Sequence, residues 1–397
     1  MPSYLQQAES MSTELVELRH SLHREPELGL HLPLTQAKVL TALDGLPLEL
    51  TTGKRLTSVV AVLRGGRPGP VVLLRGDMDA LPVRELADVP YASRIDGVMH
   101  ACGHDQHTAM LAGAARLLSA RQDELPGTVV FMFQPGEEGE DGARLMIEEG
   151  VLEAGDTPPV AAYSLHVVSS GAPVGAIGGR AGTTMAGSAD LHVTVRGRGG
   201  HGSAPHQAAD PVPVAAEMVT TLQTLVTRTA NVFDPVVVTV GTFHAGTRTN
   251  VIPAEATFGA TVRATSEAGM AAILDRARKL CAGMASAHGL TADVLVDTVY
   301  PAVVCTPEAV DLGEEVADAI HGPGSFLHLP TPAMGSEDFS RILARVPGAQ
   351  FLVGAQPLAS AADAPYNHSP HAVFDDGALP VGTALFAELA DRRLRQG

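Results

Sequence analysis

Three scarcities in this chain exclude broad classes of function. Tryptophan is absent and aromatic residues make up 4% of the 397 residues, which argues against a groove that stacks sugars or bases. Lysine and arginine number 27 against 44 acidic residues, a formal net charge of -17. Nucleic acid and anionic membranes both require a basic surface, so we expect neither as a partner. Any anionic substrate must then be held by a local cluster of Arg, His or metal.

Cysteine and long apolar runs are also scarce. The three cysteines, Cys102, Cys281 and Cys305, cannot all pair, and they lack the spacing of a disulfide framework. The first residues lack the basic start and apolar run of a signal peptide. No apolar stretch approaches the length of a membrane span. We therefore expect a protein of the reducing cytoplasm.

Short apolar runs alternate with helical patterns over the first 181 residues. Runs of β character occur at 58–63, 70–74, 127–133 and 161–165. Apolar positions at three-to-four spacing predict helices at 5–24, 35–44, 108–118 and 142–149. Strands that are apolar throughout and alternate with helices predict an α/β fold, with a mixed, largely parallel sheet flanked by helices.

A different order of elements follows from residue 182. We predict strand, helix, strand, strand, helix and strand at 189–196, 211–228, 236–241, 256–263, 267–288 and 292–299. This order is typical of a small α+β (βαββαβ) domain. The α/β style resumes afterwards, with predicted helices at 306–320, 336–344 and 377–395. The prediction is a catalytic domain formed by 1–181 and 296–397, interrupted by an inserted domain at 182–295.

Two adjacent carboxylates, Glu137 and Glu138, follow the apolar run that ends at Phe133. Neighbouring residues of an extended chain face opposite ways. One carboxylate can then bind a metal while the other acts as a general base. The alternative is a solvated acidic loop, since Glu140 and Asp141 come next.

Other polar groups also follow predicted strands. Asp77 and Asp79 come after the run at 70–74, and His166 comes after the run at 161–165. Ligands of parallel sheets bind at the carboxyl ends of the strands. We therefore expect these side chains to converge with the glutamates at one edge of the sheet.

A second cluster, Met99 to His107, contains three histidines, one cysteine and one aspartate. If Cys102 to His104 is extended, the thiol and the imidazole point to the same side of the chain. Together they would bind zinc or a similar borderline ion. The alternative is a buried free cysteine beside histidines that cap the following helix.

His368 is a further candidate ligand, and spacing alone does not exclude its neighbour His371.

The segment at 197–202 fits G-x-G-x-x-G, the dinucleotide fingerprint. Pro205 follows soon after, and the strand beginning at Val236 lacks the expected acid at its end, so nucleotide binding is disfavoured. Neither G-x-S-x-G nor H-E-x-x-H occurs.

Taken together, these motifs resemble the two-metal amidohydrolases and peptidases. That family includes hippurate hydrolase, N-acyl-amino-acid deacylases and indole-acetyl-amino-acid hydrolases. The matching segments run in order along nearly the whole chain, and they are LRHSLHREPELG (18–29), RGDMDALP (75–82), HACGHD (100–105), QPGEEG (134–139), GRGGHGSAPH (197–206), TNVIP (249–253), MGSEDF (334–339) and HSP (368–370).

The resemblance implies a site with two divalent ions, of zinc, manganese, cobalt or nickel. Cys102 would bridge the ions, Glu138 and His368 would bind one, and His104 and His166 would bind the other. The resemblance also implies a general base and a carboxylate that orients a ligand, Glu137 and Asp79 respectively.

For the inserted domain, the resemblance implies a lid and a dimerisation surface, hence a homodimer or higher homo-oligomer. His201 matches a residue that reaches the substrate carbonyl oxygen, often in the partner's site. Asn250, Arg263 and Gly335 match positions on the substrate side.

The function predicted on these grounds is hydrolysis of the amide bond of a small N-acyl amino acid. A dipeptidase or carboxypeptidase on the same two-metal scaffold is the alternative. A binding module without activity would be favoured by a missing ligand or base, and none is missing.

Overall fold

The computed structural model of the chain describes residues 2–357 and 364–396, and for Thr298 the backbone only. Its α-helices, within those residues, are α1 (Tyr4–Ser10), α2 (Ser12–Arg24), α3 (Pro33–Leu43), α4 (His104–Ser119), α5 (Gly142–Glu148), α6 (Pro211–Thr229), α7 (Glu267–Ala287), α8 (Pro307–His321), α9 (Ser340–Leu343) and α10 (Ala378–Arg395). Short 3-10 turns lie at Gln122–Glu124, Val151–Glu153 and Pro205–Gln207.

The β-strands of the same residues are β1 (Glu49–Thr52), β2 (Val59–Arg64), β3 (Arg67–Asp77), β4 (Pro126–Gln134), β5 (Ala161–Pro173), β6 (Ile177–Gly179), β7 (Gly182–Met185), β8 (Gly187–Arg196), β9 (Gly200–His201), β10 (Val236–Ala245), β11 (Val251–Ile252), β12 (Glu255–Ala264), β13 (Thr291–Tyr300), β14 (Val303–Cys305), β15 (Leu327–His328) and β16 (Gly348–Gln356).

The chain divides into two compact units. The first consists of the segments up to Thr184, from Val304 to Thr331, and from Asp338 onward. The second consists of Met185–Val303 and Pro332–Glu337.

The first unit is built on one large sheet. Its described strands number eight, in the order β1-β2-β4-β3-β5-β16-β6-β15. The neighbours β4, β3, β5 and β16 run parallel, while β1-β2, β2-β4 and β16-β6 are antiparallel. This is the predicted α/β class with a mixed, largely parallel sheet, and the prediction is confirmed.

Helices cover the large sheet because its central strands are apolar throughout. Val72, Leu73 and Leu74 of β3 are fully buried. One cluster of buried residues joins Leu73 to Met146 of α5 and Ile342 of α9. Helices α4 and α10 pack against each other and against β3. Buried residues make up nearly all of α4, so this helix lies inside the unit.

The carboxyl ends of the parallel strands hold the polar residues. Asp77 is the last residue of β3, and in register it lies opposite Gln134, the last residue of β4. Strand β5 was predicted to end before His166, but it continues to Pro173. His166 therefore lies within β5, just beyond the point where β3 pairs with Ser164 of that strand.

Two predicted helices are wrong in extent. The helix predicted at 5–24 is interrupted at Met11. There the Ser10 hydroxyl donates to the Gln7 carbonyl at 2.6 Å, a local bond of the kind that competes with a continuous helix. The helix predicted at 336–344 is reduced to α9. Asp338 lies just before it, held by side-chain bonds to Arg75 at 2.9 Å.

The second unit contains an antiparallel sheet whose described strands number four, in the order β10-β12-β8-β13. Along β8, Leu191 and Val193 are buried while His192 between them is exposed. This alternation marks a sheet with one covered face. Helices α6 and α7 cover it through residues such as Met218 and Ile273. None of the described helices of the chain is long and apolar enough to cross a membrane.

Candidate metal centre

A tight turn at Gly103 brings Cys102 and His104 together. Gly103 has φ +86°, and His104 is the first residue of α4. A Cβ added at Gly103 would lie 2.4 Å from Val167 Cγ2, so only glycine fits here. The extended geometry considered for Cys102 to His104 is therefore wrong. The two side chains converge because the chain turns into a helix between them.

The predicted ligands form two groups of three, which share Cys102. In the first triad, Cys102, His104 and His166 each offer a ligand atom within 4.8 Å of the others. In the second triad, Cys102, Glu138 and His368 do the same. The thiol sulfur lies 3.5 Å from His166 Nε2 and 3.3 Å from His368 Nε2. All five predicted metal ligands thus meet at one place.

Hydrogen bonds orient the two imidazoles of the first triad. His104 Nδ1 donates to the Asp79 carbonyl at 2.9 Å, and His166 Nδ1 donates to the Val167 carbonyl at 2.9 Å. Each ring then directs its Nε2 toward the Cys102 thiol, which is how metal-binding histidines are commonly fixed. The predicted role of Asp79 has a physical basis here, since its Oδ2 also accepts the Glu138 backbone N–H at 2.9 Å.

The electrostatics of the cluster favour a thiolate. Burial alone would raise the pKa of Cys102, but the His166 and His104 rings overcome this and hold the pKa well below its usual range. Hydrogen bonds to Cys102 and Glu138 raise the pKa of His368 to about 10. A divalent cation bound to these atoms would compete with protons for them, so metal binding would depend on pH.

The donor set fits a divalent metal. One sulfur, three imidazoles and a carboxylate suit zinc and its first-row neighbours. One of the buried donor atoms, His104 Nε2, makes no hydrogen bond. A buried polar atom without a hydrogen bond is costly, and a metal ion would satisfy it.

Glu137 and Glu138 do not face opposite ways as the extended chain would require. Oxygen atoms of both carboxylates lie within 4.8 Å of each other and of a His104 nitrogen. Positive φ values at Gly136 (+74°) and Gly139 (+87°) turn the chain out of the extended form. Glu137 is 7% exposed, and its Oε2 lies 4.0 Å from His104 Nε2. The exposed acidic loop is thereby ruled out for this pair.

The structure separates His368 from its competitor. His368 Nε2 lies 3.3 Å from Glu138 Oε1 as well as beside the thiol. Its backbone has φ +71°, unusual for a residue other than glycine and typical of strained functional positions. Both histidines are exposed, but among the described residues His371 belongs to none of the groups that could hold a metal.

Sequence reasoning missed residues that brace the ligands. Asn367 donates from Nδ2 to the Cys102 carbonyl at 3.2 Å and to the Val167 carbonyl at 2.9 Å. The Asp77 carboxylate is bound by His107 Nδ1 at 2.5 Å and Arg75 Nη1 at 2.5 Å. Adjacency to His368 was the only signal for Asn367, and His107 was marked only as one of the three histidines of the cluster Met99 to His107.

Two predicted residues lie together in the small β9-β11 ribbon of the second unit. His201 pairs with Val251, and the Gly202 N–H donates to the Asn250 carbonyl at 2.9 Å. The His201 Nδ1 accepts the Ser203 N–H at 3.1 Å. A neutral ring then carries its proton on Nε2 and presents it as a donor. Both His201 and Asn250 are exposed.

Arg263 and Gly335 also belong to the second unit. Arg263, on β12, donates from Nη1 to Ser336 Oγ at 2.6 Å, so it lies beside the segment that contains Gly335. The Arg263 side chain is half-buried and Gly335 is exposed. Across the sheet Arg263 faces Val237 on one side and Ser188 on the other.

Comparisons with known proteins agree with this geometry. Residues 73–392 match the model of peptidase family M20/M25/M40. The chain is 36% identical over 380 residues to thermostable carboxypeptidase 2 of Saccharolobus solfataricus, covering 95% of this chain and 94% of that one. It is 34% identical to hippurate hydrolase of Campylobacter jejuni, with coverage of 96% and 97%. A dinuclear metal-binding peptidase from Bacillus subtilis shares its fold, with TM-score 0.84, 32% identity and coverage of 98% and 99%.

Proposed function

Because this chain belongs to peptidase family M20/M25/M40, a family of metal-dependent amidohydrolases and peptidases, we propose that it hydrolyses the amide bond of small N-acyl amino acids. The products would be a carboxylic acid and an amino acid. The family membership confirms the resemblance seen in the motifs. The observation that supports the proposal most is the convergence of two triads on one buried thiol, with Glu137 beside them.

Five side chains would hold the metal pair. Cys102 would be shared, with His104 and His166 on one side and Glu138 and His368 on the other. Two divalent ions, when bound, lower the pKa of a water molecule toward neutrality and polarise the amide carbonyl.

Glu137 is proposed as the base and then the acid. Its carboxylate accepts the proton of the water that attacks the amide carbon, and it later delivers that proton to the leaving amine nitrogen. Its low exposure supports this role, since a nearly dry carboxylate keeps the proton near the reacting atoms. Asp79 binds Glu138 and His104 and so keeps both in place.

His201 is proposed to stabilise the oxyanion that develops on the amide carbonyl. Its Nε2–H is available because Ser203 occupies Nδ1. Following the family resemblance, we propose that His201 acts in the site of a partner subunit and that the enzyme is a homodimer. Asn250, Arg263 and Gly335 are proposed to bind the rest of the substrate, with Arg263 opposite its carboxylate. The cytoplasmic location stays a prediction from the sequence.

The test of this function is Glu137→Gln. Turnover of N-acetyl amino acids and of hippurate should fall about 10²- to 10⁴-fold, the usual contribution of a general base. Metal content, measured by atomic emission on the same preparation, should stay at the wild-type value. A variant that loses its metal would assign Glu137 to binding instead, and unchanged turnover would remove it from the mechanism.

Glu140→Gln is the matched control for that test. It removes the same charge from the same loop, but Glu140 is exposed and belongs to none of the metal-binding groups of the described residues. We expect its turnover to equal that of the wild type.

A carboxypeptidase is the second candidate, favoured by the 36% identity to a thermostable carboxypeptidase. The two activities differ in what precedes the scissile bond, an acyl group or a peptide with a free amine. A panel of N-acetyl amino acids, hippurate and dipeptides, run on protein reconstituted with each candidate metal, separates them. Faster turnover of dipeptides in every metal form would replace the first proposal by the second.

A further inference from the structure

One buried histidine near the metal centre has no role in the proposed chemistry. His107 lies in the first turn of α4, one turn after His104, and is fully buried. Its ring centroid lies 5.0 Å from that of His166 in an edge-on arrangement. Proximity alone would suggest a ligand, since Asp77, His104 and His107 also form a group of three metal-binding side chains.

Both ring nitrogens of His107 are already engaged. Nδ1 lies 2.5 Å from the Asp77 carboxylate, which can only accept, so Nδ1 carries the proton. Nε2 accepts the backbone N–H of Val167 at 2.8 Å. A neutral imidazole has one donor and one acceptor nitrogen, and in His107 both are engaged in hydrogen bonds. No lone pair therefore remains to bind a metal.

The second of these bonds reaches His166. Val167 is the next residue of β5, and its carbonyl accepts the Nδ1–H of His166 at 2.9 Å. His107 binds the N–H of Val167, while His166 and Asn367 both donate to its carbonyl. His107 therefore holds the peptide group next to the one whose carbonyl orients His166. The chain of contacts runs from Arg75 through Asp77 and His107 to the backbone at Val167.

We propose that His107 is a positioning residue for His166, acting through the backbone of Val167, and that it sets the metal affinity of the first triad without binding the metal. This inference rests on the proposed two-metal function. Loss of groups that orient a metal ligand typically lowers metal affinity 10- to 100-fold, and we expect a loss in that range.

Two substitutions distinguish the two bonds of His107. The amide of glutamine reaches the position of Nε2, so His107→Gln keeps an acceptor for the Val167 N–H. The amide of asparagine reaches the position of Nδ1, so His107→Asn keeps only the donor to Asp77. If His107 acts through Val167, cobalt affinity at the first triad stays near wild type in the glutamine variant and falls 10- to 100-fold in the asparagine variant. The reverse order would overturn the proposal.

The measurement is a Co²⁺ titration of the metal-free full chain, followed by visible absorption. In a His368→Ala background the remaining site is the first triad, and His107→Asn should weaken it. In a His166→Ala background the first triad is already broken, so His107→Asn should have no further effect. Such non-additivity is what a positioning role through His166 requires, and equal losses in both backgrounds would indicate general damage and contradict it.

The control is Gln106→Ala. Gln106 is a fully buried neighbour on the same helix turn, and its amide donates to the Asp375 carbonyl at 3.0 Å, away from the ligands. Its loss should lower the thermal midpoint without changing cobalt affinity.

A titration of the wild type tests the proposed function separately from the role of His107. Failure to bind two cobalt ions would refute the proposed function, whereas two ions with unchanged affinity in His107→Asn would refute only the role of His107.

Discussion

Each unit of the molecule holds an arginine between two carboxylates, in nearly the same contacts. Arg75 binds Asp77 at 2.5 Å and Asp338 at 2.9 Å. Arg196 binds Glu255 at 2.8 Å and Asp293 at 2.9 Å. Exposure differs, however, since the Arg75 side chain is 0% exposed and the Arg196 side chain 54%.

The comparison shows that burial, rather than the number of contacts, decides how much such an ion-pair network contributes to the stability of the fold. Water screens the exposed ion pairs of Arg196 and can replace them, so they add little to the free energy of unfolding. The Arg75 side chain is fully buried, so bulk water does not screen its ion pairs. A carboxylate left there without its cation would lower the free energy of unfolding. Asp77 of the buried group also contacts His107 and lies beside His104, so this group borders the candidate metal centre.

The strongest test of this comparison is Arg75→Met. Methionine keeps much of the apolar stem but leaves Asp77 and Asp338 without their cation. Removal of one partner of a buried ion pair typically costs about 3–5 kcal/mol, and we expect the free energy of unfolding, measured by urea titration, to fall by that amount. A loss below about 1 kcal/mol would show that burial does not set the value of this network.

An exposed group of the second unit should matter for rate and not for stability. His201→Ala removes one proposed oxyanion donor, which typically lowers kcat about 10²- to 10³-fold. The urea midpoint should not change, because the ring is exposed and its hydrogen bonds are local, to Ser203. Unaltered kcat would show that the exposed residues of this ribbon play no part in catalysis.

Mixed dimers extend that test. Protein carrying His201→Ala, mixed with protein carrying Glu137→Gln, should recover part of the wild-type activity if one subunit supplies the donor to the other's site. No recovery after verified subunit exchange would count against a shared site.

The smallest effect is expected for Arg196→Met, the same substitution in the exposed network. Its three side chains are all more than half exposed. We expect a urea midpoint equal to that of the wild type within error, at low and at high salt. A decrease in the urea midpoint as large as that of Arg75→Met would show that burial does not decide how much these networks stabilise the fold.

The sequence indicated which side chains come together, but it did not indicate the local geometry that brings them together. Cys102, His104 and Glu138 lie in short motifs whose residue types alone indicate metal chemistry. Their convergence depends on turns at Gly103 and Gly136, which an extended reading of the same motifs does not supply.

The roles of His107 and Asn367 were beyond prediction for a different reason. Both act on Val167, which lies 60 residues from the first and 200 from the second along the chain. Pairings over such distances follow from the sheet register and are not encoded in any local pattern. The same holds for Asp338, whose bonds to Gln134 and Arg75 replaced the predicted start of a helix.

The sequence separations within the two triads have a consequence for biosynthesis. Cys102 and His166 are 64 residues apart, whereas Cys102 and His368 are 266 apart. As the chain leaves the ribosome, every member of the first triad has been made long before His368. At roughly 5–20 residues per second, about 10–40 s separate the two events. All three members of the first triad are therefore present in the nascent chain for about 10–40 s before His368 is added.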